Sequence, residues 1–178
     1  MSAFDPKRET FTHFVNKPSD PNSLSDNRVY SVLEDKYGTI WIGTYGGGLN
    51  KLDRKTKKIS SYKFDKNDSA SISSNNVQSI AEDNSGKLWI GTFGGGINIF
   101  DRVKQSFTHF RNNPNDPSTL GDDNVITVFK DSKDNMWFGT TMGLCRHHRE
   151  TNKFKTYREK NGLANDFVYG ILEDNNGS

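Results

Sequence analysis

The sequence predicts an all-β fold: a partial β-propeller with three complete four-stranded blades and an incomplete blade edge on each side. Three observations carry that reading. The phrase Trp41-Ile42-Gly43-Thr44 returns as Trp89-Ile90-Gly91-Thr92 and again as Trp137-Phe138-Gly139-Thr140, 48 residues apart each time (41 to 89 to 137). No segment shows helical apolar spacing over even three turns, whereas short alternating runs bounded by Gly, Asn and Asp recur throughout. Hydrophobic residues make up only 31% of the chain while aromatic residues reach 12%, which suits thin sheets cored by a few large side chains.

Residues 1–14 read as the end of a preceding blade: Phe4-Asp5 closes a third strand, and Phe11-Thr12-His13-Phe14 is a fourth. Residues 15–64 are the first whole blade. A long connection, Val15 to Arg28, leads to a first strand at Val29 to Leu33 and a turn at Asp35-Lys36-Tyr37-Gly38. Thr39 to Thr44 is the second strand, Leu49 to Leu52 the third and Lys58 to Phe64 the fourth. Gly46-Gly47-Gly48 and the polar stretch Asp53 to Lys57 supply the turns between them. Residues 65–110 and 111–157 repeat the plan from Val77 and Val125. The third unit departs from it: Asp134-Asn135 stands where the turn glycine was, one glycine is missing before Leu144, and His147-His148 replaces Phe100-Asp101. Residues 158–178 begin another blade, with Val168 to Asp174 as its first strand. Three blades and two edges do not close a ring of four to eight. The expectation is therefore a piece of a longer chain, with the remaining blades or another copy of the chain as partner. Two copies joined end to end would still lack a second strand and most of a third.

A large ring in the second strand can bridge two adjacent sheets, so Trp41, Trp89 and Trp137 are expected to be structural, together with Gly43, Gly91 and Gly139. A formal charge of +2, with Lys and Arg scattered among Asp and Glu, gives no footprint for nucleic acid or an anionic membrane. The basic run from Lys51 to Lys58 reads as a solvated turn. One cysteine, Cys145, forms no intrachain disulfide, no stretch is long enough to span a bilayer, and Met1 to Phe4 does not open a signal peptide.

No cofactor or metal is expected. The glycine triplets follow a strand and lead into another, whereas a phosphate loop is backed by a helix N-terminus. Asp35, Asp83 and Asp174, with Gly38, Gly86 and Gly177, offer far fewer oxygens than calcium takes and read as turn caps. His147 and His148 are adjacent, so they point to opposite faces of a strand and cannot share an ion. No catalytic residues are assigned, because no Ser-His-Asp or Cys-His set repeats or clusters.

The units share the pattern N-x-V-x-x-I/V-x-x-D-x-x-G-x-I/L-W-I-G-T-x-G-G-G-L/I-N-x-x-D. In the middle unit it is carried by Asn76, Val77, Ile80, Asp83, Gly86, Leu88, Trp89, Gly91, Thr92, Gly94, Gly95, Gly96, Ile97 and Asp101. This resembles the two-component regulator propeller repeat of bacterial sensor proteins. The resemblance implies a seven-bladed propeller on the periplasmic or extracytoplasmic side of a membrane-bound sensor whose kinase lies elsewhere in the parent chain. It also implies a non-catalytic, ligand-binding input module, with oligosaccharides among the ligands of such modules. The alternatives are a protein–protein interaction scaffold, or a propeller enzyme of the lyase or glycosidase kind. Against the last, the Asp-to-Gly spacing before Trp differs from a sialidase box, and no His–Glu acid/base pair of a streptogramin lyase is found.

In propellers the turn between strands two and three shares a face with the interblade connection. That face gathers Arg28, Tyr45, Asn76, Phe93 and Asn124, which are the expected ligand-binding residues for a carbohydrate or other small molecule. An aromatic ring stacks on a sugar's C–H face while amides and guanidinium groups read its hydroxyls. The competing reading, in which these Asn residues close strand entries and the aromatics pack on loops, stays open.

Overall fold

A computed structural model describes residues 1–175. Fourteen strands follow in order: β1 (Ser2–Asp5), β2 (Thr10–His13), β3 (Val29–Glu34), β4 (Ile40–Thr44), β5 (Gly48–Leu52), β6 (Ile59–Tyr62), β7 (Val77–Glu82), β8 (Leu88–Thr92), β9 (Gly96–Asp101), β10 (Ser106–Phe110), β11 (Val125–Lys130), β12 (Met136–Thr140), β13 (Gly143–His148) and β14 (Lys153–Tyr157). They form a two-stranded sheet, β1–β2, and three four-stranded antiparallel meanders, β3 to β6, β7 to β10 and β11 to β14. The inner strands β3, β7 and β11 lie side by side, as blades around an axis do, and the ring is not closed.

Register is kept from blade to blade. Val32, Ile42, Asn50 and Ser61 form one cross-sheet row in the first meander, and Ile80, Ile90, Asn98 and His109 form its equivalent in the second. Each inner strand opens with a bulge, between Val29 and Ser31, Val77 and Ser79, and Val125 and Thr127. The valine ahead of the bulge packs on the neighbouring sheet. A Cβ added at Gly91 would lie 2.7 Å from Val125 Cγ1 and 2.9 Å from Val128 Cγ2. The glycine of the Trp-x-Gly-Thr phrase is thus the recess into which the next blade's valine fits.

Trp41 and Trp89 bridge sheets as their spacing predicts. Trp41 packs on Phe100 of the second meander at 5.2 Å between centroids, and both share a core with Ile72, Val77, Ile80 and Leu88. Trp89 stacks on Phe110 at 6.2 Å and meets Phe138 and His147 of the third meander at 5.6 and 4.9 Å. Each ring is also anchored within its own blade. Asp35 Oδ1 accepts the Tyr37 and Thr39 N–H groups and so caps the turn, while its Oδ2 accepts the Trp41 indole N–H at 2.7 Å. Asp83–Trp89 and Asp131–Trp137 repeat that bond at 3.0 and 2.9 Å. Burial pushes all three carboxyls up, but the hydrogen bonds outweigh it and hold each below the ordinary Asp value.

Trp137 differs from the other two. It is only partly buried, touching Tyr157 and the Arg146 guanidinium, because among the described residues no third and fourth strands of a following blade lie against it. The expected first strand at Val168 to Asp174 is likewise not formed. Val168 donates its N–H to Thr140 at 3.0 Å and covers Gly139 as Val125 covers Gly91, yet no second strand is available there to pair with it. The end of the expected blade start 158–178, residues 176–178 with Gly177 of the expected turn, lies outside the described residues.

His147 is buried among Trp89, Phe110 and Phe154, and His148 on the opposite strand face is exposed, as adjacency requires. Burial lowers the His147 pKa, the bond to Asn152 opposes that shift, and the charges of Arg149, His148 and Lys87 add to it. Asp83, close to Arg149, is the nearby carboxylate. A depressed folded-state pKa means that the unfolded chain takes up the proton first. Stability is therefore full above the unfolded value near 6.5 and falls as pH drops from there toward the folded value. The limiting slope for one proton is about 1.4 kcal/mol per pH unit. Urea midpoints measured between pH 7.5 and 5.5 should show this decline in the native chain, and His147→Phe should remove it.

Candidate functional site

The long connections are built by their own side chains. At each loop neck a side-chain oxygen accepts the N–H eleven residues back: Asn27 from Asn16 at 2.8 Å, Asn75 from Phe64 at 2.8 Å and Asp123 from Asn112 at 2.7 Å. One apolar residue per loop, Leu24, Ile72 and Leu120, is buried as an anchor. Beside two of these anchors, the Ser25 and Ser73 N–H groups donate to Asn50 and Asn98, which are fully buried in the third strands. The Asn, Asp and Ser content of these loops is the kind of polar surface a ligand face presents. Much of it is internal framework instead, and the recurrence of one apolar residue at 24, 72 and 120 was the available signal.

The five candidate residues sit where each loop meets the turn after the second strand. Arg28 and Tyr45 pair through a backbone bond of 2.9 Å, as do Asn76 and Phe93, while Asn124 pairs with Thr141 at 3.2 Å. Tyr45 also bridges Asn76, linking consecutive corners. Backbone pairing therefore links Arg28, Tyr45, Asn76 and Phe93 in one run, and Asn124 takes the equivalent place at the third corner. At the first corner the Arg28 guanidinium donates twice to Asp26, at 3.1 and 2.9 Å, and lies 5.2 Å above the Tyr45 ring. Tyr30, more than half exposed, flanks the same ring at 5.4 Å. The bonds from Arg28 lower the Asp26 pKa and raise that of Arg28, so the pair is ionised across the working pH range. At the second corner Phe93 is 40% exposed. At the third an Asp122–Thr141 hydrogen bond replaces the aromatic, and the Asn124 amide is directed at Asp122 at 3.3 Å. The third corner thus fits the competing, structural reading, whereas the first two expose aromatic surface at Tyr30 and Phe93.

A cavity of about 730 Å3, which the sequence did not indicate, opens between the third loop and β14. Asn112, Asn113 and Asp116 line one side, Lys155 and Arg158 the other, with Met142 from the adjoining turn. Among the described residues no group of three or more His, Cys, Asp or Glu could hold a metal ion, and no helix is long and apolar enough to cross a membrane.

The profile of the two component regulator propeller family matches residues 23–46, 71–94 and 119–142, each match running from a loop neck through the strand pair to the corner turn. Among solved structures, the extracellular domain assigned to the hybrid two component system BT3049 of B. thetaiotaomicron is 30% identical, with a TM-score of 0.77 over 99% of this chain and 22% of that one. The extracellular domain of BT4673 from the same organism shares the fold at 22% identity, TM-score 0.77, over 97% of this chain and 24% of that one. A catalytically inactive virginiamycin B lyase from Staphylococcus aureus, crystallised with quinupristin, shares the fold at 16% identity, TM-score 0.59, over 85% of this chain and 46% of that one. The chain spans less than a quarter of the length of the two extracellular domains. No curated protein sequence matches it.

Proposed function

We propose that this chain, which carries three repeats of the two component regulator propeller family, is part of a non-catalytic, extracytoplasmic ligand-sensing propeller of a two-component signalling protein. Its ligand-binding face is the rim of loop corners, and its ligand is an oligosaccharide. The observation that carries the reading is the first corner. The half-buried Tyr45 ring lies between the Arg28 side chain, fixed by Asp26, and the Tyr30 ring, which is more than half exposed. Such a ring offers a stacking surface with fixed donors beside it, the combination that recognises a sugar's apolar face and its hydroxyls together. Phe93 presents a second exposed ring one blade along. Likeness to the extracellular domain of a two component system at 30% identity supports the sensor setting.

The test is calorimetric titration of the native chain and of Tyr45→Ala with an oligosaccharide selected from an array. Tyr45→Ala should weaken binding about tenfold or more, equivalent to about 1.4 kcal/mol, while changing the unfolding midpoint little. Equal affinity in both proteins would remove the corner from the binding face.

A further inference from the structure

One interblade clasp is built twice, and its second copy is open. Between the first and second meanders, Arg102 donates to Asp35 at 2.7 Å, to Glu82 at 3.1 Å and to the Gly86 carbonyl at 3.0 Å, under the rings of Tyr37 and Trp41. Between the second and third, Arg149 takes the corresponding position but stops 3.8 Å from Asp83 and makes its short contact, 2.7 Å, with Asp134 of its own sheet. His147 stands where Phe100 packs in the earlier blade. The loosened junction leaves a cleft of about 280 Å3, lined by Trp89, His147, Asn152, Lys87 and Arg149, with the Asp83 carboxylate at its wall already bonded to the Trp89 indole and facing Arg149. It shares Ser85, Lys87, Ile99 and Asn152 with a neighbouring cavity of about 490 Å3, so the two run together along the junction. That size suits a small ligand.

His147 is 95% buried and lines this cleft with one ring nitrogen unused (5% of its surface is exposed). Its Nε2 bonds the Asn152 side-chain oxygen at 2.9 Å, so Nε2 carries the hydrogen and Nδ1 is a bare acceptor with no partner. A buried acceptor of this kind calls for a donor. At the same mouth the Lys87 ammonium makes no ion pair among the described residues, and Arg149 is partly exposed.

We propose that the cleft binds a hydroxylated carboxylate, a sugar acid of the uronate type. A ligand hydroxyl donates to His147 Nδ1, and the carboxylate is held by Lys87 and Arg149. A neutral sugar meets only the first half of that demand and a simple anion only the second. The site is separate from the corner rim and does not rest on it.

The test follows the His147 ring nitrogens and the Trp89 indole N–H by nitrogen-15 NMR, in the full 178-residue chain titrated with D-galacturonate, D-galactose, acetate and sulfate. Galacturonate should move both signals saturably in the millimolar range, with the other three at least about tenfold weaker. His147→Phe, which restores the residue type of the preceding blade, should keep the fold and abolish the response. Lys87→Gln should weaken it about tenfold, and Tyr45→Ala should leave it unchanged. The proposal is overturned if neither signal moves, if sulfate or acetate matches galacturonate (an adventitious ion only), or if His147→Phe binds as the native chain does.

Discussion

Trp89→Ala should lower the unfolding free energy by about 3–5 kcal/mol, the range for deleting a large buried aromatic. The ring is 3% exposed and is held on both sides of a blade junction, against Phe110 in its own sheet and Phe138 and His147 in the next. The cavity it leaves would be walled by three side chains already committed to other contacts, so collapse recovers little. Asp83 would also lose the indole N–H at its Oδ2, keeping only Arg149 at 3.8 Å on that oxygen. Trp137→Ala is the internal control. Its ring makes the same Asp bond but is only partly buried, so its loss should cost clearly less. Urea unfolding of the two variants side by side checks both statements. Equal effects would mean that the tryptophan stabilises its own blade and not the junction.

Asp35→Ala should cost a comparable amount, about 3–5 kcal/mol, because it removes one partner from a buried ion pair. The Asp35 side chain is fully buried, and its loss strips the acceptor from the Trp41 indole and from the Arg102 guanidinium. Arg102 would keep Glu82 and the Gly86 carbonyl, which limits the damage. Two turn N–H groups, of Tyr37 and Thr39, would lose their cap as well. A double-mutant cycle with Arg102→Met isolates the interblade part: the coupling should be at least about 1 kcal/mol, since groups in one buried network do not act additively. Independent, additive effects would show that Asp35 acts only within its turn. Because the folded-state pKa of Asp35 lies below the ordinary Asp value, its contribution is present above that value and is lost as pH falls through the folded one. That loss lies in a more acidic window than the His147 decline.

The blade plan was legible because the phrase around each Trp recurs in register and each strand alternates, and the observed strands differ from the expected ones by a residue or two at their ends. The Trp of each unit was also recognised as packing, and Asp35 and Asp83 as turn caps. Their bond was not, although the six-residue spacing recurs three times, because it closes across a hairpin. The Arg clasp was further from reach: Arg102 meets a carboxylate 67 residues earlier, a pairing that exists only once two sheets are side by side. Val168 to Asp174 matched a first strand by pattern, but a strand is defined by a ladder, and among the described residues this segment forms none.

For the candidate site, the sequence placed Arg28, Tyr45, Asn76, Phe93 and Asn124 on one face; backbone pairings join the first four, and Asn124 pairs with Thr141 at the third corner. It could not separate side chains that face solvent from those that build the loop. That difference depends on short bonds such as Asn124 to Asp122, set by local geometry and not by residue type. The open junction around His147 was visible only as a departure from the repeat. A changed residue marks where packing differs, but the cleft arises only once the two sheets are side by side.

The most direct test of the sensor reading is to incubate the native chain and Tyr45→Ala with an oligosaccharide array and to measure retention and product release together. Saturable binding without turnover, at least tenfold weaker in Tyr45→Ala, is the predicted result. Cleavage or elimination of any bound sugar, or retention indifferent to Tyr45, would contradict it.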